Sequence, residues 1–361
     1  MKITDAIKVL RFPLIVLVVY IHMSDSAIGD WGNIMESGRP FYSLLTINLP
    51  RLFCDIAVPI FFIISGYLFF LKTPDKFGKE EWTSQLSKRW HTLVIPYFIW
   101  NTLSYLATAL KRALFPGTMA QDPHGGLYIL EDFKTIYWDW PLDYPLWYVR
   151  ELILIALVAP LFYYGLKKAP ILFLLATTAY YLFAPAWDGF NSHAVFYFSV
   201  GAYLSTHHIK ELSIPTVWIV VSGVISLTMC LLHIMNPIPS IRHLFEGFYF
   251  ISTIVCFCGL FFRGNLSHPI YRWFERMGKY VFIIFVLHNI YLINFARGLN
   301  FKLMQIGSGL TSEVIGVIGY LIIPWLVIAV CVAAYEILDR ATPRLLRIAI
   351  GGRKTAKVTV K

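Results

Sequence analysis

Hydrophobic residues form long runs along this chain, and polar residues gather between the runs. A helix needs about 20 mostly apolar residues to cross a bilayer. The runs therefore predict an all-α integral membrane protein with about ten transmembrane helices. The segments 170–186 and 194–206 are short enough to be tilted or re-entrant, which leaves a range of roughly eight to eleven spans. The ten predicted spans are 5–24, 51–71, 93–114, 147–166, 170–186, 194–206, 214–234, 244–262, 280–296 and 312–337.

Positive charges are distributed unevenly between the predicted loops. Membrane proteins retain Lys and Arg in their cytoplasmic loops. Ten spans with both termini in the cytoplasm would put most of the 31 Lys and Arg residues on that side. We predict one transmembrane domain over 1–350 and a basic cytoplasmic tail over 351–361. The tail lacks apolar periodicity, and we interpret it as a strip that lies against anionic lipid.

Composition narrows the class of protein further. Hydrophobic residues make up 57% of the chain and charged residues 14%, against about 25% charged residues in ordinary globular proteins. This composition argues against a soluble enzyme. The net charge of +10 follows from the bias of cytoplasmic loops, so we expect no nucleic-acid partner. The five cysteines lie within or beside apolar runs without the spacing of zinc or redox sites, so we expect no metal.

The first predicted span contains two ionisable residues. Its uninterrupted apolar run, FPLIVLVVYIHM, is too short to cross a membrane, so Arg11 is drawn into the span. His22 follows eleven residues later, which is three helical turns plus about 20°, so both side chains project from one face about 16 Å apart. Arg11 alone could extend to the lipid headgroups, and His22 alone could be a core histidine. Together on one face they favour a functional polar site.

Other polar residues interrupt the apolar segments. His288 lies in the ninth predicted span, where a hydrogen bond to a neighbouring helix is the structural alternative to a functional role. Arg150 and Glu151 begin the fourth span beside Trp147 and Tyr148. Because adjacent residues on a helix do not share a face, we expect Arg150 and Glu151 to point apart, with one of them toward a cavity.

Four stretches together resemble the integral membrane acyltransferase 3 family, in its polysaccharide O-acetyltransferase branch. They are KVLRFPLIVLVVYIHM, VPIFFIISGYLFF, PLWYVREL and YVFIIFVLHNIYL, in that order along the chain. The resemblance implies a bacterial inner-membrane enzyme that transfers an acyl group, usually acetyl, from cytosolic acyl-CoA to a glycan hydroxyl. By motif position, Arg11 and His22 correspond to the essential Arg and His of the family. The family often has a second arginine soon after the first at the start of span three, whereas SKRWHTLVIPY has Thr92 and Leu93 beyond Arg89.

These residues support a mechanism for acyl transfer. A hydroxyl acceptor needs a base, and His22 is the best candidate for it. The hydroxyl would attack the thioester directly while His22 takes its proton, without an acyl-histidine intermediate. Arg11, Lys88 and Arg89 would bind phosphate groups of acyl-CoA. The remaining candidates, assigned to the glycan or lipid-linked saccharide acceptor, are Trp147, Tyr148, Arg150 and His288.

Two other classes of function stay open at the level of sequence. A multi-span transporter or flippase would use Arg11, His22 and His288 as an anion site or proton relay. The absence of an internal repeat in the sequence disfavours this class. The second alternative is a non-catalytic sensor or assembly partner. This function would not explain why Arg11 lies within the bilayer. The sequence leaves the oligomeric state, the acyl group and the acceptor open.

Overall fold

The computed structural model describes residues 1–23, 38–48, 53–114, 134–139, 141–184, 189–235, 239–264 and 266–353. Within these ranges the protein is helical, and the only β pairing is an isolated bridge between Lys2 and Glu211. The predicted all-α class is therefore confirmed for the described part of the chain. The last eight residues of the predicted basic tail lie outside it.

Sixteen helices are numbered here in chain order. They are α1 (Ile3–Met23), α2 (Pro40–Ser43), α3 (Ala57–Phe70), α4 (Lys79–Arg89), α5 (Ile95–Leu114), α6 (Trp147–Leu157), α7 (Ala159–Lys168), α8 (Pro170–Phe183), α9 (Ser192–Thr206), α10 (Thr216–Met235), α11 (Pro239–Phe261), α12 (Pro269–Met277), α13 (Val281–Leu287), α14 (Ile293–Met304), α15 (Gly309–Ala341) and α16 (Pro343–Ala349).

Short irregular helical turns link several of these elements. The π-helical turn Trp90–Val94 joins α4 to α5. A kink at His288–Leu292, where Ile290 and Tyr291 leave helical geometry, joins α13 to α14. Two more π-helical turns are Leu44–Asn48 and Thr135–Asp139, and 3-10 turns lie at Tyr144–Leu146 and Gly278–Tyr280.

Each of the ten segments predicted to span the membrane contains a helix. Among the described residues, five helical segments are long and apolar enough to cross a bilayer, and a bent pair makes a sixth. That pair, Tyr144–Leu157 and Ala159–Lys168, bends by 63°, at a break followed by Pro160, whose missing N–H interrupts the helical hydrogen bonds. Shorter apolar helices form at Ala57–Phe70, Pro170–Phe183 and Thr216–Leu232. The count of ten spans and the cytoplasmic position of both termini stay predictions.

The outer surface of the helical assembly is apolar. Ile171, Phe295 and Ile306 each keep about three quarters of their surface exposed. These three belong to a large set of exposed apolar side chains. A soluble protein does not expose so many of them to water. Their exposure is the surface expected of a protein surrounded by lipid.

Helices α3 and α9 approach each other more closely than ordinary side chains permit. A Cβ atom on Gly66 would lie 2.1 Å from the carbonyl oxygen of Phe198, and one on Gly201 would lie 1.9 Å from that of Ile63. Only glycine leaves room for such contact between backbones. The two helices therefore form one wall of the interior, next to α1.

Candidate active site

A cavity of about 500 Å³ lies between α1, α3, α6, α13 and the junction of α4 with α5. Helix α1 contributes Arg11, Ile15, Val18 and His22 to its lining. These four residues follow the spacing of one helical face, so the structure confirms that Arg11 and His22 share a face. Eleven residues of helix separate them by about 16 Å along the axis.

One end of the cavity is positively charged, and we call it the arginine end: Arg11, Arg89 and Arg353. The guanidinium of Arg89 lies 5.1 Å from the ring centre of Phe69, and that of Arg353 lies 3.8 Å from the ring centre of Phe282. Among the described residues, none of the three arginines has a carboxylate within ion-pair distance. The arginine end is therefore suited to bind an anion.

Lys279 also lines the cavity, but it has a partner. Its ammonium lies 2.9 Å from a carboxylate oxygen of Glu336, which also accepts a hydrogen bond from the Tyr280 hydroxyl at 2.5 Å. This pair largely neutralises the charge of Lys279. The three arginines thus provide most of the positive charge that faces the cavity.

The opposite end carries two imidazoles, and we call it the histidine end: His22, His288 and Tyr144. The ring centre of His22 lies 5.1 Å from that of His288 and 6.0 Å from that of Tyr144. His22 lines the cavity and is half-buried, whereas His288 is completely buried behind it. The two imidazole rings are therefore direct neighbours.

A backbone contact fixes the tautomer of a neutral His288. Its Nδ1 atom lies 2.8 Å from the carbonyl oxygen of Ile284. Since a carbonyl oxygen only accepts hydrogen bonds, Nδ1 carries the hydrogen and Nε2 keeps its lone pair. Nε2 is buried and has no hydrogen-bond partner among the described residues. The ring therefore presents an unused acceptor.

Asp143 is a further buried polar group near the histidine end. It precedes Tyr144 directly, its side chain is completely buried, and its carboxyl group lies beside the side chain of Asn289. Burial raises the pKa of this carboxyl well above its ordinary value. Asp143 therefore favours its neutral, protonated form.

Trp147 and Tyr148, at the start of α6, both line the cavity. The Tyr148 hydroxyl lies 3.1 Å from the carbonyl oxygen of Phe61 and 2.8 Å from the Ser65 hydroxyl. Since the carbonyl only accepts, Tyr148 donates to Phe61 and Ser65 donates to Tyr148. These bonds hold Tyr148 against α3.

The expectation that Arg150 and Glu151 point apart is wrong. The guanidinium of Arg150 folds back and donates to a Glu151 carboxylate oxygen at 3.1 Å and 3.3 Å. It also donates to the carbonyl oxygens of Trp138 and Asp139, while Glu151 accepts from the Asn191 backbone N–H. The side chains of both are buried, and neither lines the cavity. Long side chains can meet even where their Cα–Cβ bonds diverge.

Two other predicted site residues also lie off the cavity. Lys88 is exposed near the end of α4, and His288 lies behind His22. Their predicted roles in binding the donor and the acceptor stay predictions.

Arg353 was assigned to the basic tail, yet it lines the cavity. The sequence signal for this placement is the pair Gly351–Gly352, which permits the chain to turn back after a short helix.

Comparisons with known proteins identify the family of this chain. The sequence model of the acyltransferase 3 family, described as "Acyltransferase domain", matches residues 4–336. The chain is also 24% identical over 369 residues to the succinoglycan biosynthesis protein ExoH of Rhizobium meliloti (strain 1021), covering 99% of this chain and 94% of that protein. No solved structure matches the chain. Because the family match covers most of the sequence, including α1 with Arg11 and His22, this helical chain belongs to the acyltransferase 3 family.

Proposed function

We propose that this protein is a membrane-bound O-acyltransferase that moves an acyl group from acyl-CoA to a hydroxyl of a cell-surface glycan or its lipid-linked precursor. The observation that carries the proposal is the polarity of one cavity, with three arginines at one end and His22 at the other. The arginine end suits the phosphates of CoA. The histidine end suits proton transfer from a hydroxyl.

The distance between the two ends agrees with a long donor. Arg11 and His22 are about 16 Å apart along α1. A donor that is anchored by phosphates at the arginine end needs an extended arm to bring its thioester to His22. The pantetheine arm of CoA is such a linker, and the apolar side chains between the ends, such as Ile15 and Val18, accept it without polar competition.

The chemical step requires a base and a leaving group. A ring nitrogen of His22 takes the hydroxyl proton while the oxygen attacks the thioester carbonyl. The new carbon–oxygen bond forms, the carbon–sulfur bond breaks, and the proton on His22 passes to the thiolate that leaves. His22 returns to its starting state, and no acyl-enzyme intermediate is needed.

The acyl group and the acceptor are proposed from the family and from the named relative. Family resemblance favours acetyl, whereas the named relative takes part in succinoglycan biosynthesis, which supports a polysaccharide acceptor. Trp147 and Tyr148 line the same cavity as His22, which supports our assignment of both residues to the acceptor. We place the enzyme in the bacterial cytoplasmic membrane with the arginine end toward the cytosol, where acyl-CoA is made. Family membership favours this enzyme over the transporter.

The experiment is a thiol-release assay on the purified protein in detergent. Acetyl-CoA and succinyl-CoA are supplied separately, with and without a candidate glycan, beside a His22→Ala variant. Thiol release that requires both His22 and the glycan supports the proposal and identifies the acyl group. If neither donor binds or is consumed with any acceptor, while the protein moves saccharide across vesicles, the transporter interpretation replaces it.

A further inference from the structure

The segment after α16 is folded back onto the junction of α4 and α5. The backbone N–H groups of Gly351 and Gly352 donate to the carbonyl oxygens of Ile348 and Arg347 at 3.0 Å and 2.7 Å. Both glycines have positive φ angles, +71° and +66°, a region that favours glycine. This turn directs the chain toward the cavity.

Two contacts hold the folded-back segment in place. The indole N–H of Trp100 on α5 donates to the carbonyl oxygen of Ala349 at 2.9 Å. A Cβ atom on Gly351 would lie 2.8 Å from the Cα atom of Thr92, so the two backbones touch. The segment Ile350–Arg353 is therefore seated against the π-helical turn that follows Arg89.

Arg353 extends from this seat into the cavity. Its guanidinium lies over the Phe282 ring and donates to the carbonyl oxygen of Ile350 at 2.6 Å. Burial, together with the positive charges of Arg89 and Arg11, lowers the pKa of Arg353 to about 10. Because like charges repel in a partly enclosed space, this arrangement is most favourable when an anion lies between them.

The C-terminal segment brings a positive charge next to Thr92, which has none. Thr92 lies three residues after Arg89 and lines the same cavity, but it carries no charge. Gly351 rests on Thr92, and Arg353 follows two residues later. The C-terminal segment thus supplies a guanidinium beside a position where the helix provides none.

We propose that Arg353 is the third arm of a phosphate-binding site that it forms with Arg11 and Arg89, and that the ligand is the phosphate-rich end of the acyl donor. The inference rests on the proposed function. It also goes beyond the family match, which ends at residue 336. Three guanidinium groups from distant parts of the chain can contact several phosphate oxygens at once.

The phosphate of a lipid headgroup has the same chemistry as the phosphates of CoA. The experiment distinguishes these two ligands. CoA binding is measured in phosphatidylcholine nanodiscs for the wild type, for Arg353→Ala and for Arg344→Ala. Arg344 is exposed on α16 and does not line the cavity, so its variant removes the same charge from the same helical region. We expect Arg353→Ala to weaken CoA binding roughly 10-fold to 100-fold, as for a lost hydrogen bond to a charged group. Arg344→Ala should bind like the wild type.

A second measurement distinguishes phosphate binding from a structural role. S-acetylpantetheine carries the reactive thioester without the nucleotide and its phosphates. Arg353→Ala should turn over S-acetylpantetheine at the wild-type rate, while its KM for acetyl-CoA rises and its kcat at saturation stays near the wild-type value. An equal loss with both donors would show that Arg353 only supports the fold and would overturn the proposal.

The remaining outcomes are also decisive. If the wild type binds CoA and Arg353→Ala binds it equally well, the proposal is wrong and the proposed function stands. If the wild type does not bind CoA at all, the donor assignment fails and the phosphate site fails with it. If CoA binding is independent of Arg353 while binding of phosphatidylglycerol depends on it, the ligand is a lipid headgroup and the proposal is overturned.

Discussion

The two ends of the cavity are built in opposite ways. The arginine end collects side chains from α1, from α4 and from the segment after α16. The guanidinium groups of Arg89 and Arg353 lie over aromatic rings, and none of the three arginines has a carboxylate partner in the described part of the chain. At the histidine end the rings of His22, His288 and Tyr144 lie together, and a backbone carbonyl holds the buried His288 ring. The difference indicates a division of labour, because charged groups without partners gain most from a ligand whereas fixed rings suit chemistry.

The largest expected effect separates the two ends by rate. His22→Ala removes the proposed base but leaves the arginine end untouched. We expect kcat to fall roughly 10²-fold to 10⁴-fold, with the affinity for acyl-CoA unchanged. Steady-state thiol release and direct CoA binding measure the two quantities. If His22→Ala lowers CoA affinity by the same factor as kcat, the two ends of the cavity do not have separate roles.

The second-largest expected effect concerns donor binding at the arginine end. Arg11→Lys keeps the charge but removes the planar fork of the guanidinium. We expect acyl-CoA affinity to fall roughly 10-fold, as for loss of one charge-assisted hydrogen bond, and kcat at saturating donor to change little. Calorimetric titration with CoA measures the affinity. Unchanged affinity would remove Arg11 from the donor site.

A smaller effect concerns the ring behind His22. In His288→Asn the amide nitrogen can replace Nδ1 as donor to Ile284, but the acceptor at Nε2 is lost. We expect kcat to fall roughly 3-fold to 10-fold without a change in donor KM, because His288 does not line the cavity. The matched variant His288→Gln places an acceptor near Nε2 and should stay closer to the wild type. Equal rates for Asn and Gln would argue against a role for Nε2.

The smallest effect on catalysis is expected at Asp143. Burial raises the pKa of its carboxyl in the folded state, so the folded protein binds this proton more tightly than the unfolded chain. Stability should therefore fall as pH rises from the ordinary range of an aspartate through the raised pKa. Asp143→Asn should lose this pH dependence and keep its rate. Thermal unfolding in detergent across pH checks this, and parallel curves for both proteins would contradict it.

The sequence predicts some parts of this site well and others poorly. Arg11 and His22 could be placed on one face because both lie on α1, where helical periodicity alone determines direction. Arg353 could not, since its position depends on a glycine turn and on contacts with Thr92, which is far away in the chain. The contact between Arg150 and Glu151 was not predicted, because Arg150 is also held by the carbonyl oxygens of Trp138 and Asp139, which belong to a separate turn.

In the fold as well, features set by the local sequence were predicted and local irregularities of the backbone were not. All ten apolar segments contain helix, because helix is the way for a backbone to satisfy its hydrogen bonds in lipid. The π-helical turn at Trp90–Val94 and the kink at His288–Leu292 were not predicted. Both positions adjoin the cavity, and apolar runs carry no signal for a local change in hydrogen bonding.

The contact between α3 and α9 limits which acyl chains the cavity can accept. Gly66 and Gly201 bring the two backbones together, so the wall that carries Phe61 and Ser65 cannot recede. Room for a longer acyl chain must come from the facing side, where Phe282 and Phe285 of α13 project. Changes in acyl-chain length selectivity should therefore map to the aromatic side chains of α13, while α3 stays constant in shape.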